Sequence, residues 1–427
     1  MLTHAAGAGA PAVPTFSAGM PRLLLLAVVV AGGAYSRVAL SPLQEAMSAA
    51  ISLSDNQVAL LQGPVMAIPL MIASIPLGRI IDGFSRVRLM AVLAALSLVG
   101  SLITGIASSF AVLSAARCVV GIAGFGTLPV AISLIADLYD PAQRGRATMA
   151  ISVGQLFGSS AAFALGGALI AAFAATPDGW RRAMLWLSSP LALVTLLSLG
   201  MREPPRTGFL AKTASLRQVM PEFLRYRATI GTLLIGMAML ETAFGAALIW
   251  TAPLLSRRHN LPPQKIGLIM ATALLASGAL GPVLGGTVAD VAQRTGGPRR
   301  TMYLLTTFAI LTVPVAGFAL ASWVPLVSIL VVTLLTLISA AAVMGMTLYT
   351  VVLPNEVRGV CVSVSVATNV LFALGLGPVA VSLLSGVIGG PAMIGKALAV
   401  ACMGASALGV SAFALGARNF PRAALGK

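Results

Sequence analysis

Stretches of twenty or more apolar residues recur along the whole chain, separated by connectors that hold most of its charge. A helix needs about 20 apolar residues to cross the hydrocarbon of a bilayer. In lipid only helices and closed barrels satisfy the backbone, so a chain built on this repeat is constrained to a bundle of membrane-spanning helices. Twelve segments qualify: about residues 22–49, 56–78, 87–107, 110–137, 144–174, 180–201, 227–256, 264–289, 301–319, 323–352, 359–387 and 394–416. Pro129, Pro190, Pro282, Pro314 and Pro378 fall inside them, which neighbouring helices make tolerable in a membrane. The expected fold is an all-α membrane protein with twelve transmembrane helices. Composition agrees: 9% of residues are charged and 58% hydrophobic, where a soluble domain carries roughly 25% charged residues. That excludes an ordinary soluble enzyme and a disordered chain. The net charge of +16 comes from few charges without long runs, so no nucleic-acid partner is expected.

The positive charge sorts by position. With the N-terminus in the cytoplasm, cytoplasmic connectors hold Arg22, Arg79, Arg86, Arg88, Arg144, Arg146, the basic residues from Arg202 to Arg227, Arg294, Arg299, Arg300, Arg358, Arg418, Arg422 and Lys427, which is 19 of the 27. Outer loops hold Arg181, Arg182, Arg257, Arg258, Lys265 and Lys396. This obeys the positive-inside rule and places a multi-pass protein in the inner (plasma) membrane with both termini cytoplasmic. Residues 1–21, without a basic start or an apolar core, read as a disordered tail rather than a signal peptide. Cys118, Cys361 and Cys402 show no pairing pattern and are taken as small hydrophobic residues. His4 and His259 form no metal-ligand cluster, and there is no phosphate-binding glycine loop; no cofactor or metal is expected.

An internal repeat divides the chain. Gly78-Arg-Ile-Ile-Asp82, followed by Arg86, stands between spans 2 and 3; Gly286-Thr-Val-Ala-Asp290 stands between spans 8 and 9, an offset of 208. Pro141-Ala-Gln-Arg144-Gly145 and Pro354-Asn-Glu-Val-Arg358-Gly359 repeat with an offset of 214 between their arginines. Two six-helix bundles follow, 22–202 and 227–417, with a cytoplasmic tail at 418–427. The linker, 203–226, carries Leu216, Val219, Met220, Phe223 and Leu224 at helical spacing and suits an amphipathic helix on the membrane surface; an irregular linker is the alternative. Gly78 and Gly286 are expected to let helices approach closely, with Asp82 and Asp290 pairing to arginines or helix ends. These residues, with Arg86, Arg144 and Arg358, are expected to gate rather than to bind solute.

The Gly-x-x-x-Asp loops, the twelve spans and the parallel repeat resemble the major facilitator superfamily. Leu53-Ser-Asp-Asn-Gln-Val-Ala-Leu-Leu-Gln-Gly63, Gly179-Trp-Arg181, Arg202-Glu-Pro-Pro205, Pro354-Asn-Glu-Val-Arg-Gly359 and Gly375-Leu-Gly-Pro378 are most similar to the bacterial Spinster-like subgroup. The resemblance implies an Asp-Arg pair in span 1, whose acid couples protons, and a glutamate in span 4. This chain has Ser36-Arg37 at the first place and Ala123-Gly124-Phe125 at the second, so Arg37 and Arg117 carry over and the two acids do not.

Ionisable groups inside a membrane are costly and mark function by default. Arg37 and Glu241 lie at similar depth in spans 1 and 7, which the repeat relates; Arg117 lies in span 4. The functional reading is that Arg37 and Arg117 attract an anion while Glu241, paired to arginine, takes up protons; the competing reading is a static ion pair. Glu45 is an outer gate, a second proton site or a solvated group at the outer mouth. Substrate contacts are assigned to Arg37, Arg117, Ser36, Gln62, Gln155, Trp250, Tyr349 and Asn369, with Tyr35, Gln44 and Thr242 as further polar positions. Helix–helix hydrogen bonding competes as a role for each. Met344 and Met346 suit an adaptable apolar wall. The expected function is a secondary transporter, monomeric, moving an amphipathic organic anion by alternating access, with proton coupling left open. The alternatives are an exporter of neutral or cationic drugs and a non-transporting receptor on the same fold.

Overall fold

The computed structural model describes residues 16–205, 226–353 and 355–418, and among them all regular structure is helical. Among the described residues eleven helical runs are long and apolar enough to cross a membrane: Gly19–Ile51, Asp55–Gly83, Arg86–Ile106, Phe110–Leu138, Gln143–Ala172, Gly179–Leu199, Arg227–Arg257, Pro263–Leu320, Val324–Val352, Cys361–Ile388 and Pro391–Arg418. One of them is two spans. Its α-helical part, Pro263–Val315, has 53 residues, about 80 Å at 1.5 Å per residue, more than twice a hydrocarbon core of about 30 Å. It breaks at Gly297, where φ is 65° and ψ is −161°. Glycine takes that φ without a Cβ penalty, and Pro298 steers the residue before it away from the helix. The runs therefore make twelve spans, numbered here in chain order with Gly297 between spans 8 and 9.

Local chemistry sets several span starts. Ser54 caps Asp55–Gln62 in a reciprocal pair with Gln57, and Ser85 and Ser109 accept from the backbone at the starts of spans 3 and 4. The first helix begins at Phe16, so residues 16–21 are helical rather than part of a tail. Tyr139 donates to the Gly19 carbonyl at 2.7 Å, a tertiary tether that no local pattern reveals. The linker helix expected within 206–225 and the ends 1–15 and 419–427 lie outside the described residues.

Spans 1–6 pack around two buried clusters that include Leu26, Met90 and Leu134 in one and Leu40, Met47 and Trp180 in the other. Spans 7–12 share a single cluster around Trp250, Phe318 and Phe413. Ile72, Leu196, Val283 and Val387 face outward, as a lipid-facing belt requires. The described chain ends, Phe16 and Arg418, share one face of the molecule, the terminal face; the opposite one is the far face. The bundles meet on the far side, where spans 5 and 8 cross at two glycines. A Cβ on Gly167 would stand 2.9 Å from the Gly267 Cα, and one on Gly267 would stand 2.5 Å from the Phe163 carbonyl oxygen. Contact this close excludes any side chain at either position.

The terminal face is organised by arginines. Arg86, 3% exposed, bonds Asp137 at the end of span 4 and donates to Glu203 beyond span 6 at 3.0 Å. Arg144 donates to the carbonyls of Tyr139 and Ala136, and Arg358 to that of Leu353. Each of these two repeat-related arginines thus caps the end of the span before it, as the helix dipole favours. The close approach expected at Gly78 and Gly286 is not made: nothing stands within 4 Å of a Cβ at either, and the approach occurs at the far face instead. Asp82 and Asp290 are exposed. Burial raises the pKa of Glu203, but donors from Val87 N–H, the Ser85 hydroxyl and Arg86 outweigh it and hold the carboxyl below the usual range.

Arg86→Ala removes the cation that joins Asp137 and Glu203 and is expected to cost about 3 kcal/mol, read as a lowered Tm in detergent. The depressed pKa of Glu203 gives a sign for pH. Its contribution is complete above the ordinary carboxylate pKa of about 4.3 and is lost as pH falls through the lowered value. Glu203→Gln is expected to flatten the wild-type decline in Tm over that acid range.

Candidate functional site

Between the bundles lies a cavity of about 450 Å³. Its walls come from breaks in otherwise regular helices. Span 1 is helical over Phe16–Val38, turns through Ser41–Leu43 and resumes as Gln44–Ile51; Pro42, lacking an N–H, enforces the break. Span 11 runs as Asn355–Val370, a π-turn over Leu371–Leu376, then Gly377–Ile388, with Pro378 just past the turn. Such interruptions free backbone groups and are tolerated in a membrane only where protein or a cavity meets them.

The wall from the first bundle carries Arg37. Its guanidinium donates to the Gly124 carbonyl at 2.8 Å and to Gln155 Oε1 at 3.5 Å, and it stacks 4.0 Å from the Phe125 ring centre. None of these partners is an anion. Glu241 lines the same cavity from span 7. Among the described residues its carboxyl has no hydrogen bond or ion pair, so the Arg37–Glu241 pairing expected from the repeat is absent. An arginine and a carboxyl share one cavity without pairing. Most other wall residues are apolar, including Met66, Met237, Phe244 and Met346.

Spans 10 and 11 add Tyr349, Ser365 and Asn369. Ser365 neighbours the Tyr349 hydroxyl, yet Tyr349 Oη, Ser365 Oγ and Asn369 Oδ1 are all buried without a partner at hydrogen-bonding geometry.

The far end of the cavity is closed by a polar chain. Ser41 donates to Gln62 Oε1 at 2.5 Å, the Gln62 amide donates to Gln44, and the Gln44 amide donates to the Ile249 carbonyl at 3.2 Å across the bundle interface. Gln62 therefore lines the cavity with its polar atoms already engaged. Beyond this layer, Arg257 of span 7 holds two carboxylates of the first bundle: Glu45 at 2.8 and 2.9 Å, and Asp55 at 2.7 and 2.8 Å. Glu45 is thus ion-paired across the bundle interface, the contact expected of an outer gate.

Three expected substrate contacts lie elsewhere. Arg117, fully buried, donates to the Arg37 carbonyl at 2.6 Å, the Ser36 carbonyl at 3.4 Å and the Met66 sulfur at 2.9 Å. It occupies the carbonyls freed where span 1 breaks, so it positions Arg37 without entering the cavity. Ser36, also buried, returns its hydroxyl to the Gly33 carbonyl. Trp250 donates to the Pro378 carbonyl at 2.9 Å and pins span 7 to the bend in span 11. In each case the membrane interior demands a partner for a polar group, and a backbone carbonyl supplies it. Sequence reasoning also passed over Phe125, Ser365, Asp55 and Asp137. The serine pattern of span 11 held a signal, since Ser365 and Asn369 are four residues apart and share a helix face.

The Major Facilitator Superfamily model matches residues 23–379. Two solved structures of a bacterial homologue of the human lysosomal transporter Spinster, inward-facing in unoccupied and occupied conformations, superpose with TM-scores of 0.75 and 0.76. Identity is 22% and 23%, over 94% and 95% of this chain and 95% and 96% of those chains. A nucleoside transporter superposes at 0.71 with 12% identity, over 92% of this chain and 99% of that one. Among curated proteins, triacylglyceride transporters of Mycolicibacterium hassiacum and Mycolicibacterium smegmatis are 32% identical over 136 residues, 32% of this chain. The match spans about a quarter of the length of those relatives.

Arg117→Leu removes a charged donor from buried carbonyls and is expected to destabilise the protein by about 3 kcal/mol, with or without ligand. Arg37→Gln, which loses one backbone bond at a cavity wall, is expected to lower Tm by much less. Thermal unfolding of both variants, side by side, checks the assignment of Arg117 to position and Arg37 to the cavity.

Proposed function

The chain belongs to the Major Facilitator Superfamily, and from that premise we propose that it is a secondary transporter that carries an amphipathic organic anion by alternating access. The terminal face, with most of the arginines, is the cytoplasmic side of the inner membrane under the positive-inside rule. The far-side closure then makes this conformation inward-facing, with the cavity addressed from the cytoplasmic side. The observation that carries the reading is Arg37: a cation at the wall of an apolar cavity whose partners are a carbonyl, an amide and an aromatic ring. A charge held this way inside a membrane protein favours an anionic partner, and the apolar walls favour a greasy body behind the anionic group. Rocking of the two bundles around the cavity, the mechanism general to such repeats, would exchange the far-side closure for one at the cytoplasmic ends.

Glu241 supports a second reading, export of cationic compounds, because its carboxyl also meets no partner in the cavity. On the leading reading it is instead the group through which protons enter the cycle, in place of the acids absent from spans 1 and 4.

Binding of dodecanoate, dodecanol and dodecylamine to purified protein separates the two. The account expects dodecanoate to bind most tightly and Arg37→Gln to weaken it at least tenfold, with little change for dodecanol. Preference for the amine, abolished by Glu241→Gln, would establish the cation reading instead. For coupling, counterflow in proteoliposomes is measured against pH: Glu241→Gln is expected to remove the pH dependence while leaving exchange intact. An unchanged profile would take Glu241 out of the coupling step.

A further inference from the structure

We propose that the wall formed by spans 10 and 11 is a second, uncharged subsite, and that the solute carries a hydroxyl at the end remote from its acid group. This rests on the anion reading of Arg37 and adds the chemistry of the solute's other end.

Three polar atoms carry the inference: Tyr349 Oη, Ser365 Oγ and Asn369 Oδ1, all buried and all on residues that line the cavity; the two hydroxyls neighbour each other, and none of the three has a partner at good hydrogen-bonding geometry among the described residues. Tyr349 and Ser365 are each 1% exposed. Apart from the Glu241 carboxyl on span 7, the other polar side chains named around this cavity are engaged. Gln62 and Ser41 are tied into the far-side chain, and Arg37 and Gln155 bond each other. The unmet hydrogen-bonding capacity is concentrated on one wall, in the bundle opposite Arg37. A solute whose apolar end covered these atoms would bury hydrogen-bonding capacity that the two neighbouring hydroxyls meet only in part, which is unfavourable. A site built to hydrogen-bond a hydroxyl rejects the analogue that lacks it far more strongly than an apolar pocket rejects a methylene.

The donor and acceptor inventory narrows the group. Asn369 Oδ1 only accepts, so the ligand must donate; the Tyr349 and Ser365 hydroxyls both donate and accept. A carboxylate cannot donate and an ammonium cannot accept, whereas a hydroxyl does both. The placement also has a mechanical consequence. Arg37 belongs to the first bundle, and Tyr349, Ser365 and Asn369 to the second. A solute with an acid at one end and a hydroxyl at the other bonds both bundles at once, so its binding energy depends on their relative position. A solute with the acid alone engages one bundle.

The test compares dodecanoate, 12-hydroxydodecanoate and 12-aminododecanoate binding to the full-length protein in detergent by calorimetry. The hydroxy acid is expected to bind about tenfold or more tightly than dodecanoate. Tyr349→Phe combined with Ser365→Ala, a nearly isosteric change, is expected to bring that ratio close to one, weakening the hydroxy acid and binding dodecanoate at least as tightly as wild type does. If the double variant fails to fold, Asn369→Leu is read in the same way. Equal binding of hydroxy acid and dodecanoate by wild type, or a ratio that survives the substitutions, overturns the subsite. Tighter binding of the amino acid, lost in Glu241→Gln, also overturns it and assigns that wall to a cation. Failure of all three to bind overturns the anion reading itself, so the two failures are told apart.

Discussion

Arg257 is the interaction on which the observed arrangement depends. Its planar fork engages Glu45 and Asp55 with two bonds each, and a bidentate charged pair of this kind combines strength with fixed geometry. The arginine comes from one bundle and both carboxylates from the other, so the contact exists only while the far ends are together. The layers beneath repeat the constraint in weaker form: the glutamine chain reaching Ile249, then the glycine crossing of spans 5 and 8. A stack of contacts all on one side gives a molecule closed at the far face, with the cavity left for the terminal face.

Charges deeper in the protein follow a different rule. Arg117 and Arg37 come from the same environment, yet one is consumed by backbone and the other stands at the cavity wall with neutral partners. Pro42 divides their roles. It breaks span 1, the break strands the carbonyls of Ser36 and Arg37, and Arg117 fills them. With its backbone held in that way, Arg37 can present its guanidinium to the cavity with only neutral partners. The bend in span 11 works similarly, with Trp250 bonded at Pro378 and the orphaned hydroxyls of spans 10 and 11 facing inward. Breaks in helices thus shape the cavity and bring polar groups to its walls.

Much of this was legible in the residues. Apolar lengths located the spans, since hydrocarbon thickness leaves few alternatives, and the Gly-x-x-x-Asp repeat showed the two-bundle plan. Depth and repeat brought Arg37 and Glu241 to one cavity, whereas Gln155, Tyr349 and Asn369 were polar positions within spans for which helix–helix hydrogen bonding competed as a role. What was not legible depended on contacts between distant segments. Nothing local says that Arg117 turns to a carbonyl of span 1, that Trp250 turns to Pro378, or that Glu45 has Arg257 for a partner 212 residues away. A polar residue in a span must find a partner, but periodicity does not say whether backbone, side chain or solute provides it. The start of the first helix was missed for the same reason, because the tether at Tyr139 lies 120 residues from Gly19.

The central claim is that Arg257 holds the far face shut and so sets which side of the membrane the cavity serves. Spin labels at Ala50 and Gln264, both exposed at the far ends of opposite bundles, report that closure directly by pulsed electron paramagnetic resonance, with Cys118, Cys361 and Cys402 replaced by serine. The account predicts one short-distance population in the parent protein and a second, longer population in Arg257→Gln. An unchanged distance distribution in Arg257→Gln would contradict it.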